Sequence, residues 1–111
     1  MADAAVIVNL FQYVNTDKQF QFTVYKSDGV TPQDVTGFTI SLVVHAYGDP
    51  NVAYFTKSAA LTTPTKGVVT VTVSAADNAS MPPNLYDYRL ERTDAANDIV
   101  LARGTYSLLG K

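Results

Sequence analysis

The chain offers chemistry a short inventory: one histidine, no cysteine, and ten Asp and Glu residues. His45 lies in FTISLVVHAY, a run that alternates apolar and polar residues, between Val44 and Ala46. A catalytic base needs a nucleophile in reach, and a metal ligand needs further ligands at a usable spacing. Neither accompanies His45, so it reads as an imidazole on the outward face of a strand, at the surface or in an interface. Asp87 and Glu91 share one face of a predicted strand. Four residues of strand span roughly 13 Å, too far for either carboxylate pair of glycoside hydrolysis. With Arg89 between them, the alternating charges predict a solvated face. Asp94, Asn97 and Asp98 fall in one loop and offer oxygens to Ca²⁺, but that ion takes about six to eight ligands. Asn and Asp are also the ordinary residues of turns. Gly67, Gly104 and Gly110 are isolated, so no phosphate-cradling loop is present. The sequence therefore assigns no catalytic, cofactor-binding or metal residue, and the expectation is a protein that is not an enzyme.

The aromatic residues are the other candidates. Seven Tyr and five Phe occur without any Trp. Tyr25, Tyr47 and Tyr54 are predicted to point outward from neighbouring strands as an exposed aromatic face. Such a face would let a sugar stack, which defines one functional class: a carbohydrate- or host-surface-binding module. The competing reading, preferred here, is a second buried face or a protein interface, where Tyr is enriched. Tyr86 or Tyr88, early in its strand, has the place of a tyrosine corner.

These residues need a scaffold, and the pattern supplies one. Ala5 to Tyr13 is apolar on both faces at its start and predicts a strand buried on two sides or at an interface. Gln19 to Lys26 alternates, with Phe20, Phe22 and Val24 inward. Phe38 to Tyr47 alternates with Phe38, Ile40, Leu42, Val44 and Ala46 inward. Val52 to Lys57 predicts a short edge strand guarded by Lys57. Leu61 to Lys66 reads as loop, Val68 to Val73 as strand. Ser74 and Asp77 form a capping-box-like start to one or two helical turns. Leu85 to Arg92 and Ile99 to Leu109 complete the set, with Gly104 a predicted bulge. About seven strands with regular turn signals predict an all-β, Ig-like antiparallel sandwich, one domain over residues 1–111. The formal net charge of −2 and scattered basic residues argue against nucleic acid. The N-terminus carries Asp3, and the apolar run Ala4–Val8 is too short to span a bilayer, so no membrane association is expected.

The order of these pieces resembles a group of small bacteriophage virion domains. It is similar in pattern to the N-terminal domain of siphophage upper baseplate proteins and to phage capsid decoration proteins. The turn Ser27-Asp28-Gly29-Val30-Thr31-Pro32-Gln33-Asp34-Val35-Thr36-Gly37 matches that family's Asp-Gly-x-Pro-x-Asp-Leu-Thr-Gly, with one residue extra before the Pro and Val35 for Leu. Gly67 to Ser74, the Ala-rich stretch 75–81, Pro83-Asn84-Leu85-Tyr86-Asp87-Tyr88 and Leu101-Ala102-Arg103-Gly104-Thr105-Tyr106 follow in the family's order. Asn84 stands in place of its Gly. The resemblance covers about residues 5 to 109. It implies a non-enzymatic virion structural protein without cofactors, assembled in the host bacterial cytoplasm and resident in the virion. A capsid decoration (cement) protein is the leading expectation, and a tail, connector or baseplate adaptor the alternative. Its partners would be the major capsid protein or tail components, and copies of itself in a homo-oligomer. The surplus apolar character of the first and last strands marks Val6, Val8, Leu10, Phe11, Tyr106, Leu108 and Leu109 as candidate subunit contacts.

Overall fold

The computed structural model describes residues 6–26, 28–94 and 99–110. Nine strands, a 3₁₀ turn and one α-helical turn lie among them: β1 (Val6–Ile7), β2 (Leu10–Tyr13), β3 (Lys18–Thr23), β4 (Ile40–Ala46), β5 (Asp49–Ser58), β6 (Ala60–Thr63), the 3₁₀ turn (Pro64–Lys66), β7 (Val68–Val73), α1 (Ala75–Asn78), β8 (Asn84–Arg92) and β9 (Ile99–Leu109). One sheet runs β1-β9-β8-β4-β5, with β2 also on β9; the other runs β3-β7-β6. The N-terminal strands pair with β9 in parallel, while the remaining pairs are antiparallel. The two sheets form an all-β, Ig-like sandwich.

Period-2 alternation builds the core. Phe20, Phe22 and Val24 from one sheet and Val69, Val71 and Val73 beside them meet Ile40, Leu42, Val44, Tyr88, Leu90 and Tyr106 from the other. Tyr86 is the corner tyrosine: its hydroxyl donates to Pro82 O at 2.6 Å. Tyr88 follows two residues later, where antibody domains place the second cysteine of their inter-sheet disulfide. Here its ring meets Phe22 with centroids 6.0 Å apart. Aromatic packing thus occupies a position that a cross-link holds elsewhere. Burial pushes the Tyr88 hydroxyl well above the ordinary phenol range, and it donates to Val8 O at 2.6 Å.

A polar lock closes one end of the sandwich. Gln12 is only 1% exposed and points inward from β2. Its amide nitrogen donates to Thr16 O at 2.7 Å and Val73 O at 3.0 Å, and its carbonyl oxygen accepts from the Tyr106 hydroxyl at 2.7 Å. Asn78 of α1 reaches the same hydroxyl and accepts the Asn15 N–H at 2.8 Å. Every group in the lock has a partner, which is what makes such burial affordable.

Several local expectations change. The segment from Ala5 to Tyr13 is two strands broken at Val8-Asn9, because the chain crosses very close to β9 there. A Cβ placed on Gly104 would lie 2.1 Å from Val8 O, so only glycine admits the crossing. Gly104 pairs in register with Tyr88; the irregularity comes between Leu90 and Glu91, which face Ala102 and Val100 and leave Leu101 as the extra residue. The stretch read as loop before Gly67 contains β6 and a 3₁₀ turn, Pro64–Lys66. β5 is ten residues long. Its Lys57 points inward from the edge strand. It turns across the sandwich to Asp77 at 3.1 Å. Asp77 also accepts the Ser74 N–H at 2.8 Å, as the capping-box pattern requires.

Candidate functional site

The outer face of the six-stranded sheet carries the groups that sequence singled out. Register places them in rows. Ser41 stands beside Glu91, and Glu91 beside Val100. Val43, Arg89 and Arg103 form the next row, then His45, Asp87 and Thr105. Beyond these, Leu85, Ser107 and Phe11 lie side by side, and Leu109 neighbours Tyr13. Charge therefore gives way to apolar surface along β9.

At the charged end the face is not solvated as expected. His45 is 7% exposed and Glu91 is also buried. His45 lies next to the β4–β5 turn, which is pinned toward the sheet when Gly48 N–H donates to Asp87 Oδ2 at 2.8 Å; Glu91 lies beside Ser41, at the other end of β4. His45 Nδ1 lies 3.0 Å from Ala46 O. Donation there leaves Nε2 as the acceptor of the neutral ring. Arg89 Nε pairs with Glu91 Oε2 at 3.1 Å. On the other side, Asn9 Oδ1 accepts from Thr105 N and Oγ1 at 3.3 and 3.1 Å. These walls enclose an open groove of about 560 Å³ lined by Asn9, His45, Tyr47, Asp87, Arg89, Arg103 and Thr105, among others. Asp87 and Glu91 are each engaged with a neighbour, and no nucleophile stands beside His45 in the groove lining.

At the apolar end Phe11 (53% exposed), Tyr13 (49%), Leu85 (40%) and Leu109 (38%) lie open. Lys18 Nζ donates to Phe11 O at 2.8 Å and sits 3.7 Å above the Phe11 ring centroid, a cation–π contact that fixes the ring at the sheet edge.

The seven candidate contacts divide. Leu10, Tyr106 and Leu108 belong to the protein's own core and are withdrawn. Parallel pairing with β9 turns alternate residues of β2 inward, which the two-sided apolar pattern concealed. Val8, Phe11 and Leu109 are at the surface. The Val6 side chain lies outside the described residues. Tyr13 and Leu85 were missed, because each stands alone in sequence and only register makes them neighbours.

The three tyrosines do not form one platform. Tyr25 lines a small cavity of about 130 Å³ with Phe38 and Arg92, at the start of β4. Tyr47 follows the end of β4, roughly 20 Å away by strand rise. Tyr54 packs edge-on against Tyr86, centroids 4.9 Å apart. The calcium reading also loses its first ligand. Asp94 accepts Arg92 Nε at 2.8 Å and Thr39 N–H at 3.1 Å, and the Arg92 fork holds its carboxyl down to about 2. Asn97 and Asp98 lie outside the described residues. Among the described residues no group of three metal-ligating side chains occurs, and no helix is long and apolar enough to cross a membrane.

No family model matches the chain, and no curated protein sequence does. Among solved structures, the chain is similar to that of NK cell receptor Nkp44, described as a triggering partner in natural cytotoxicity. The match has 13% identity and a TM-score of 0.46, and covers 98% of this chain and 100% of that one. Nothing about binding follows from a likeness of this size.

Proposed function

We propose that this chain is a non-enzymatic structural protein of a bacteriophage particle, a capsid decoration protein in the first instance. It would attach to the major capsid protein and to copies of itself through the apolar end of the outer sheet face. One observation carries the reading: Phe11, Tyr13, Leu85 and Leu109 lie open together on strands that are otherwise well covered. Adjacent exposed apolar side chains of this kind mark association surfaces more often than isolated ones. The order of turn and strand motifs, similar to that of phage virion domains, supplies the class of particle. The same surface would serve a tail, connector or baseplate adaptor, and copy number separates these roles.

The test is the protein inventory of purified particles from a lysate in which this chain is made. A decoration protein is present in hundreds of copies; a dozen or fewer place it at a connector or baseplate. Absence from every particle, combined with a monomer at high concentration in sedimentation, overturns the proposal.

A further inference from the structure

The charged end of the outer face supports an inference independent of assembly. We infer that the groove between the β4–β5 turn and the Val8–Asn9 crossing binds a carboxylate-bearing sugar. Arg89 and Arg103 stand directly opposite each other on β8 and β9. Like charges in that relation repel across a sheet, and an anion between them removes the repulsion. Glu91 does not fully serve this need, since it takes Arg89 Nε. Among the described residues Arg89 Nη1 is buried and has no hydrogen-bond partner. With no accessible surface, that atom meets a ligand oxygen only when the Arg89 side chain turns outward, so the exposed Arg103 makes the first contact. Guanidinium groups match carboxylates in shape and charge.

The rest of the lining says which carboxylate. Glu91 offsets Arg89, and Arg103 is the cation left to meet a ligand, which suits a singly charged carboxylate better than a phosphate. Asp87, Asn9 and Thr105 bring a carboxylate, an amide and a hydroxyl to the same space, groups that answer the hydroxyls of a sugar ring. Tyr47 is 63% exposed at the rim and offers a flat face for stacking. An acidic peptide side chain would use the arginines but neither the hydroxyl partners nor the aromatic face. The groove volume of about 560 Å³ falls in the usual range for small-ligand sites, about 300–1,000 Å³.

The test is an NMR titration of the full chain with sialyllactose and a galacturonate trisaccharide, using neutral lactose and a glutamate-rich peptide as controls. The expected result is that at least one acidic sugar shifts the backbone amides of Gly48, Arg103 and Thr105, while lactose does not. Arg103→Ala, at an exposed side chain, should weaken that binding by about tenfold or more. Tyr47→Ala should weaken it by about three- to tenfold without altering the spectrum of the free protein elsewhere. Silence with both acidic sugars at millimolar concentration overturns the inference. So does equal binding of lactose, or shifts produced by the peptide alone. A response that survives both substitutions places the sugar outside the groove and overturns it as well.

Discussion

The two ends of the outer face share strands, pleat and twist, yet differ in what covers them. Around Arg103 the sheet is walled on one side by the β4–β5 turn, which Asp87 ties down. On the other it is walled by the Val8–Asn9 crossing over Gly104. Behind those walls even a histidine is buried. Six residues further along β9, roughly 20 Å by strand rise, Leu109 and its neighbours have open surface. Polar groups are built in where the protein supplies their partners. Apolar groups stay outside where something else is to supply the cover. On the proposed reading, one end would receive something small and the other would be half of an interface.

The largest expected effect comes from breaking the wall between them. Gly104→Ala puts a Cβ into the Val8 carbonyl. It should cost about 2–4 kcal/mol and lower the Tm by on the order of 10 °C, followed by circular dichroism on heating. Unchanged melting would mean that the N-terminal crossing is not part of the cooperative fold.

Next is the apolar end. Phe11→Asp combined with Leu109→Asp should weaken association by about thirtyfold or more in sedimentation or particle-binding assays, with the Tm held within a few degrees. If association persists at wild-type strength, the interface lies elsewhere.

A smaller effect is expected away from this face, at the Asp77 that joins α1 to β5. Burial raises its pKa, but the Ser74 N–H and Lys57 outweigh burial and hold it below its ordinary value of 3.8. A depressed carboxyl stabilises the fold above that value, and the contribution is lost as pH falls through the folded-state value. Asp77→Asn should therefore cost about 1 kcal/mol near neutrality, and the gap to wild type should close as pH drops below about 4. Denaturant melts at pH 7 and pH 3 check both the size and the sign. Smallest is Arg103→Ala, expected within about 0.5 kcal/mol of wild type and on the stabilising side, since a like-charge neighbour is removed. A clear destabilisation would show that Arg103 is already satisfied within the protein.

The sandwich was legible because alternation is a local signal. Phe20, Phe22 and Val24 announce their inward face without knowledge of the rest of the chain, and so do Val69, Val71 and Val73. What could not be read depends on partners distant in sequence. Gln12 looks like any polar strand residue. It is buried because Thr16, Val73 and Tyr106 converge on it. Leu10 and Leu108 looked like surplus apolar surface until the parallel pairing of β2 with β9 gave them a core. The outward face of His45 followed from period 2, but its burial came from a turn that Asp87 holds down far along the chain. Lys57 was placed at an edge correctly, but its turn inward to Asp77 depends on a partner distant in sequence. The groove was invisible for the same reason: Arg89 and Arg103 become neighbours only through the register of β8 with β9.

The apolar end of the outer face is proposed to meet another protein in a virus particle. Cross-linking with mass spectrometry on purified particles tests it most directly, because Lys18 sits against Phe11 at that end. The chain should be recovered in many copies per particle, and Lys18 should cross-link to the major capsid protein or to a second copy. Particles that lack the chain, or carry it with cross-links only from Lys26 and Lys66 and none from Lys18, would contradict it.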